Sequence, residues 1–191
     1  DIYTYNLAAA KQLMKDAGQE AGFTAEIIVS TSTPTYVDTL SLVAGMLKQI
    51  NITMVIKPLE SAVWTSQNNS RSFPNWTYDG DGNGAPYKLN AFRPGNPQNA
   101  GNIDSPQLVE VFNQVNTLYP FDTPGAEALI RSQAPYILEN CWNIFMPASY
   151  SYWFAQPWVH NYNGVISVGY FCAYNPLAYR WIDAAAKAKG K

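Results

Sequence analysis

Apolar residues first recur at helical spacing. Leu7, Ala10, Leu13, Met14 and Ala17 share one face of a helix. Asn6 stands before them as a cap and Gly18 after them as a stop. The period then changes. The stretch "FTAEIIVST" is rich in β-branched residues and lies between Gly22 and Pro34, which predicts a strand. A second helical stripe follows in "TYVDTLSLVAGMLKQI", with Val37, Leu40, Val43, Leu47 and Ile50 on one side. "NITMVIKPLE" predicts a second strand with Pro58 at its end, and "SAVWTSQNN" a short helix. Strand, helix and strand within about forty residues make a βαβ unit with a parallel pair.

Residues 72–78 predict a third strand leading into a glycine-rich stretch, and "GAPYKLNAFRPGNPQNAGNI" predicts loops. Asp104-Ser105-Pro106 opens a helix carrying Leu108, Val111, Phe112 and Val115. Another opens at Thr123 as cap with Pro124 in its first turn, and Pro135 should interrupt it. "CWNIFMPASYSYWFA" predicts one extended, largely buried strand. The chain closes with a short helix and a lysine-rich end. The fold class is α/β with a mixed sheet flanked by helices.

Composition narrows the function. With 191 residues and a net charge of −2, the chain can bury a sizeable core. Its scattered basic residues give no nucleic-acid surface. No apolar run approaches the roughly 18–20 residues of a membrane span. The chain opens on Asp1 and almost at once into a helix pattern, as expected of an excised piece or processed form. Cys141 and Cys172 either pair in an oxidising compartment or remain buried thiols; spacing alone leaves both open. Six Trp, thirteen Tyr and eight Phe, many among polar neighbours, suit ordinary cores and ligand pockets alike.

Catalytic chemistry finds little to work with. The single histidine, His160, has no nucleophile signature beside it, and a structural or surface role fits it better. There is no dinucleotide or phosphate-loop motif and no cluster of zinc-type ligands. No enzyme activity, no catalytic residue, no metal ligand and no cofactor is expected. The run Asp79-Gly80-Asp81-Gly82-Asn83-Gly84 does match the front of a calcium loop. Its back does not: Pro86 stands at position eight and Asn90 at position twelve. The alternatives are a calcium site and a turn in which glycines supply positive φ while Asp and Asn brace the backbone.

The order of elements carries a resemblance. Tyr5, Ala10-Lys11, Leu13, Ala17-Gly18 and Gly22-Phe23 resemble a stretch of the family 5 extracellular solute-binding proteins of ABC importers. So do Leu47-Lys48-Gln49-Ile50-Asn51-Ile52, Pro58-Leu59-Glu60 and Asn102-Ile103-Asp104-Ser105-Pro106. The resemblance implies a periplasmic-binding-protein-like (type II) lobe, with residues 1–160 forming the C-terminal ligand-binding lobe. It implies that residues 161–191 are a return segment packing on the N-terminal lobe of the same protein.

The same resemblance implies a function. The protein would capture an extracytoplasmic solute, a peptide in the first instance, and deliver it to an ABC permease. It would be periplasmic or extracellular, with lipid anchoring as one form. Trp76-Thr77-Tyr78-Asp79 matches the family's Trp-x-x-Asp motif. By resemblance Asp79 receives the ligand's amino group, a charge-assisted bond in a closed cleft. Trp76 and Tyr78 would be pocket walls. Phe73, standing where some members carry a basic residue, joins them as a ligand-binding residue. An oligosaccharide ligand and a calcium-binding structural module are the alternative readings.

Overall fold

The computed structural model describes residues 4–79, 87–146, 152, 154–162 and 180–189. The chain divides into two compact units, Asp1–Ile144 and Phe145–Lys191.

The first unit opens with helix α1, Leu7–Asp16. Asn6 Oδ1 accepts the Ala9 N–H at 2.9 Å, the expected cap. At the other end Gly18 takes φ +70°, Gly18 N–H reaches the Lys15 carbonyl and Gln19 N–H the Met14 carbonyl. That pair of bonds is a Schellman stop. Gly22 (φ +79°) is required more strictly, because a Cβ there would overlap the Asn51 carbonyl. Asn51 is itself left-handed (φ 64°) and its Nδ2 donates to the Glu20 carbonyl at 3.0 Å. The turns entering the first two strands are thereby locked together.

Strand β1 (Phe23–Ser30) is central, in the order β2-β1-β3. It pairs in parallel with β2 (Ile52–Leu59) and with β3 (Trp76–Tyr78). Ile27 and Val29 pack on one face with Leu40 of α2 (Pro34–Leu47). Ile28, pointing to the opposite face, is buried as well. Burial on both faces accounts for the near-continuous apolar run of a central parallel strand. A 3₁₀ turn at Lys48–Ile50 joins α2 to β2, and α3 (Ser61–Ser70) joins β2 to β3.

A helical layer follows. After a 3₁₀ helix at Tyr87–Phe92 come α4 (Pro106–Leu118), α5 (Thr123–Ser132) and α6 (Ala134–Glu139). Leu108, Val111, Phe112 and Val115 are buried as their spacing predicts, against Leu89, Phe92, Ile103, Ala126 and Ile137. Ser105 caps α4 and Pro135 sits at the break between α5 and α6. The cap of α5 is Asp122, not Thr123. Its carboxylate accepts the Gly125 N–H at 2.9 Å, which leaves Thr123 as the first helical residue. Buried Asn99 holds the intervening loop, bonding the Arg93 and Ile103 carbonyls and the Ile103 N–H. Arg71, at the end of α3, donates to the Asn96 and Asn99 carbonyls, both at 3.0 Å, and ties this loop to the sheet layer.

The expected strand from Cys141 is absent over residues 141–146. That segment is turn and irregular, Ile144 is 74% exposed, and Cys141 is exposed at φ 51°. Its apolar letters have no neighbouring strand to pair with among the described residues. Cys172 and the run from Gly80 to Pro86 lie outside the described residues.

In the second unit, β4 (Val159–His160) pairs antiparallel with β5 (Trp181–Ile182), followed by α7 (Ala184–Ala188). His160 stacks on its cross-strand partner Trp181, with centroids 4.2 Å apart. That is a packing role.

Candidate functional site

Parallel strands place all their carboxyl ends along one edge, and in α/β sheets ligands bind in the crevice outside that edge. Here the edge holds a recess of about 170 Å³. β1 contributes its last residue, Ser30, and the following turn contributes Ser32 and Thr33. Tyr36 comes from the first turn of α2, and Ser61 and Trp64 from the start of α3. β3 contributes Tyr78 and, one residue past its end, Asp79. A second recess, about 190 Å³, lies between α1 and the turn at Gln49-Ile50-Asn51, beside the amino end of β2.

The lining is short on charge. Among the described lining residues Asp79 is the one carboxylate, and none is Lys or Arg. Hydroxyls supply most of the polarity. Ser30 Oγ lies 2.9 Å from Ser32 Oγ and accepts the Ser32 N–H. Three aromatic rings make up the walls. Tyr36 and Tyr78 meet edge to face at 4.8 Å. Burial pushes the Tyr78 phenol above its ordinary value, and the neighbouring Tyr36 phenol adds to the shift. The Trp64 indole N–H is buried with no hydrogen-bond partner among the described residues. Such a group ordinarily costs about 1–3 kcal/mol.

Behind the recess, strand alternation separates the residues of the Trp-x-x-Asp segment. Trp76 and Tyr78 point to the α2 face and pack on the cluster of Ile27, Val29 and Leu40. Thr77 and Asp79 meet α3, where buried Asn68 bonds both: Thr77 Oγ1 donates to Asn68 Oδ1 at 2.8 Å, and Asn68 Nδ2 to Asp79 Oδ2 at 3.4 Å.

The structure therefore brings Tyr78 and Asp79 to the recess and does not bring Trp76 or Phe73 there. Trp76 lies opposite Ile27, and its ring meets Phe23 edge to face at 6.4 Å, near the start of β1. Phe73 is half-buried in the turn before β3. The lining residues from β1, α2 and α3 carry no motif. Their one signal is position: Ser30 ends a parallel strand, and Ser32 and Thr33 lie between it and a helix. Among the described residues there is no cluster of three His, Cys, Asp or Glu side chains able to hold a metal ion. Nor is any helix among them long and apolar enough to cross a membrane.

Residues 1–99 match the bacterial extracellular solute-binding proteins, family 5 Middle. No curated protein matches the chain. Among solved structures, the periplasmic binding protein DppA of Helicobacter pylori, in complex with the peptide STSA, shares 21% identity at a TM-score of 0.55; the match covers 73% of this chain and 28% of that one. OppA of Burkholderia pseudomallei gives 19% identity and a TM-score of 0.57 over 70% of this chain and 27% of that one. NikA of Staphylococcus aureus, in complex with Ni(L-His)2, gives 15% and 0.59 over 73% of this chain and 30% of that one. The chain thus spans under a third of the length of these relatives, which share its fold.

Proposed function

The chain belongs to the bacterial extracellular solute-binding proteins of family 5, and from that premise we propose that it is the ligand-receiving lobe of an ABC importer's substrate-binding component. The whole receptor captures a small peptide between two lobes outside the cytoplasmic membrane and hands it to the permease. The first compact unit, Asp1–Ile144, belongs to this lobe. The receptor is periplasmic or extracellular, with a lipid anchor as one form.

One observation carries the peptide reading: a carboxylate, Asp79, at the carboxyl end of a parallel sheet, in a recess whose other described lining residues are hydroxyls and rings. A carboxylate at this edge is suited to an ammonium group, and partial desolvation on lobe closure strengthens the pair. The peptide bound by the Helicobacter pylori relative supports this ligand class. Calorimetry on the complete receptor tests it with trialanine as the probe. Asp79→Asn should weaken binding by about 10- to 100-fold, the scale of a charged hydrogen bond. Unchanged affinity removes Asp79 from the site.

A second reading, an oligosaccharide ligand, is favoured by the three rings Tyr36, Trp64 and Tyr78 around the recess. In that case Trp64→Ala should abolish binding of a sugar that Asp79→Asn still binds. A thermal-shift screen of oligosaccharides without response sinks it.

A further inference from the structure

The turn that leaves β1 carries two hydroxyls in different surroundings. Ser30, the last residue of the strand, is buried, at 5% exposed. Ser32, two residues on, is exposed. Both line the recess at the strand ends. Their oxygens lie 2.9 Å apart, and Ser30 Oγ also accepts the Ser32 N–H at 3.2 Å. Between them the backbone is tied to β2, where the Leu59 carbonyl accepts the Thr31 N–H at 2.9 Å.

A single proton lies between the two oxygens, and burial decides which residue supplies it. A buried hydroxyl gives its proton to a protein acceptor. Among the described residues, the acceptor within reach of the Ser30 hydroxyl is Ser32 Oγ. Ser30 therefore donates and Ser32 accepts. Ser32 then keeps its own proton for a further acceptor. Hydrogen bonds in a chain polarise one another, so a hydroxyl that accepts one bond donates the next more strongly. The chain from Ser30 to Ser32 ends in a polarised O–H on the recess wall. Closing the turn does not require that group, because the Ser32 N–H already bonds Ser30 Oγ. An alanine at 32 would close the turn as well.

The size of the recess narrows the acceptor. It holds about 170 Å³, and Asp79 lines it too. With the ligand's amino group at Asp79, the nearest acceptor of a peptide is its first amide carbonyl, one Cα away. We propose that Ser32 is a ligand-binding residue that donates its hydroxyl proton to the first carbonyl oxygen of the bound peptide, with Ser30 as the positioning residue behind it. This rests on the reading of the recess as the peptide site.

The test changes one atom of the ligand. Calorimetry on the complete receptor compares trialanine with its thioamide analogue, in which sulfur replaces the first amide oxygen. Sulfur is the poorer acceptor, so the ratio of the two affinities reports the bond to that atom. Ser32→Ala should weaken trialanine about fivefold, the scale of one hydrogen bond, and the analogue far less, so that the ratio shrinks. Ser32→Thr, which keeps the hydroxyl, should retain the ratio of the unsubstituted receptor. A ratio that Ser32→Ala leaves unchanged overturns the proposal, even where both affinities fall, since Ser32 then acts through the turn alone. Asp79→Asn with trialanine separates this failure from that of the peptide reading. If it weakens binding while Ser32→Ala leaves the ratio unchanged, the peptide reading stands and the role of Ser32 is wrong. If neither substitution changes the binding of either peptide, both fall together.

Discussion

The two layers of the first unit are held by different means. The helical layer, from Leu89 to Ile137, is closed by apolar packing. Leu108, Val115 and Ala126 are fully buried; of the buried polar residues here, Asn99 has its bonds satisfied by backbone and Ser105 and Gln133 are hydrogen-bonded as well. The sheet layer has a smaller apolar cluster. Toward the carboxyl ends of its strands the lining turns polar, with Ser30, Asn68, paired phenols and an indole N–H lacking a partner among the described residues. Close-packed apolar interiors give stability. Polar groups at a strand edge give recognition, at some cost in stability. The division of labour follows from topology, since only the sheet layer has a set of strand ends to open onto.

The sharpest way to break this comparison is to injure the helical layer and look for a functional effect. Leu108→Ala removes a fully buried side chain and should cost about 3 kcal/mol. Thermal melting should show Tm falling by roughly 8 °C, while the preference for free over acetylated trialanine stays unchanged. A changed preference would mean that the layers do not divide stability from recognition.

The sheet layer has its own stability-critical point, far from the recess. Gly22→Ala combines a left-handed φ with overlap on the Asn51 carbonyl, and should cost about 2 kcal/mol in denaturant titrations. A neutral result would show that the turns entering β1 and β2 are looser than their geometry. Next in size is the link between layers. Arg71→Ala deletes two guanidinium bonds to the Asn96 and Asn99 carbonyls and should cost about 1.5 kcal/mol. Arg71 is left-handed at φ 55°, so Arg71→Gly should cost less than Arg71→Ala by relieving that strain. Equal losses would assign the whole effect to the side-chain bonds.

The smallest effect is one of pH. The Tyr78 phenol is raised in the folded state above its ordinary value of 10.0, chiefly by burial. On unfolding it ionises more readily, so the unfolded state binds fewer protons in that range. Its contribution to stability is intact below pH 10 and lost as pH rises through the folded value. Tyr78→Phe should therefore flatten the decline in stability above pH 10. An unchanged slope would place Tyr78 in a more open environment than its contact with Tyr36 implies.

Much of this was legible along the chain. The stripe Leu108, Val111, Phe112, Val115 and the caps Asn6 and Ser105 are local patterns, and local patterns dictate local structure. The βαβ unit was legible for the same reason. The segment after Cys141 misled because an apolar run looks alike whether or not a partner strand exists. Thr123 misled by one residue, since Asp122 and Thr123 are both good caps and only the helix start separates them. At the site, Tyr78 and Asp79 were named from a motif, but Trp76 was named with them, and strand position alone sets Trp76 beside Phe23.

By itself the sequence determined the elements, their order and the presence of a carboxylate just past a strand, because each rests on spacing within a few residues. Tertiary structure decided which residues share the recess. Segments near residues 30, 61 and 78 meet only through the parallel register of β1 with β2 and β3. It also decided between Asn68 and Asn69, identical letters in adjacent places. The phase of α3 over β3 buries one beside Thr77 and Asp79 and leaves the other in water. Register and phase depend on contacts across tens of residues, and no local pattern encodes them.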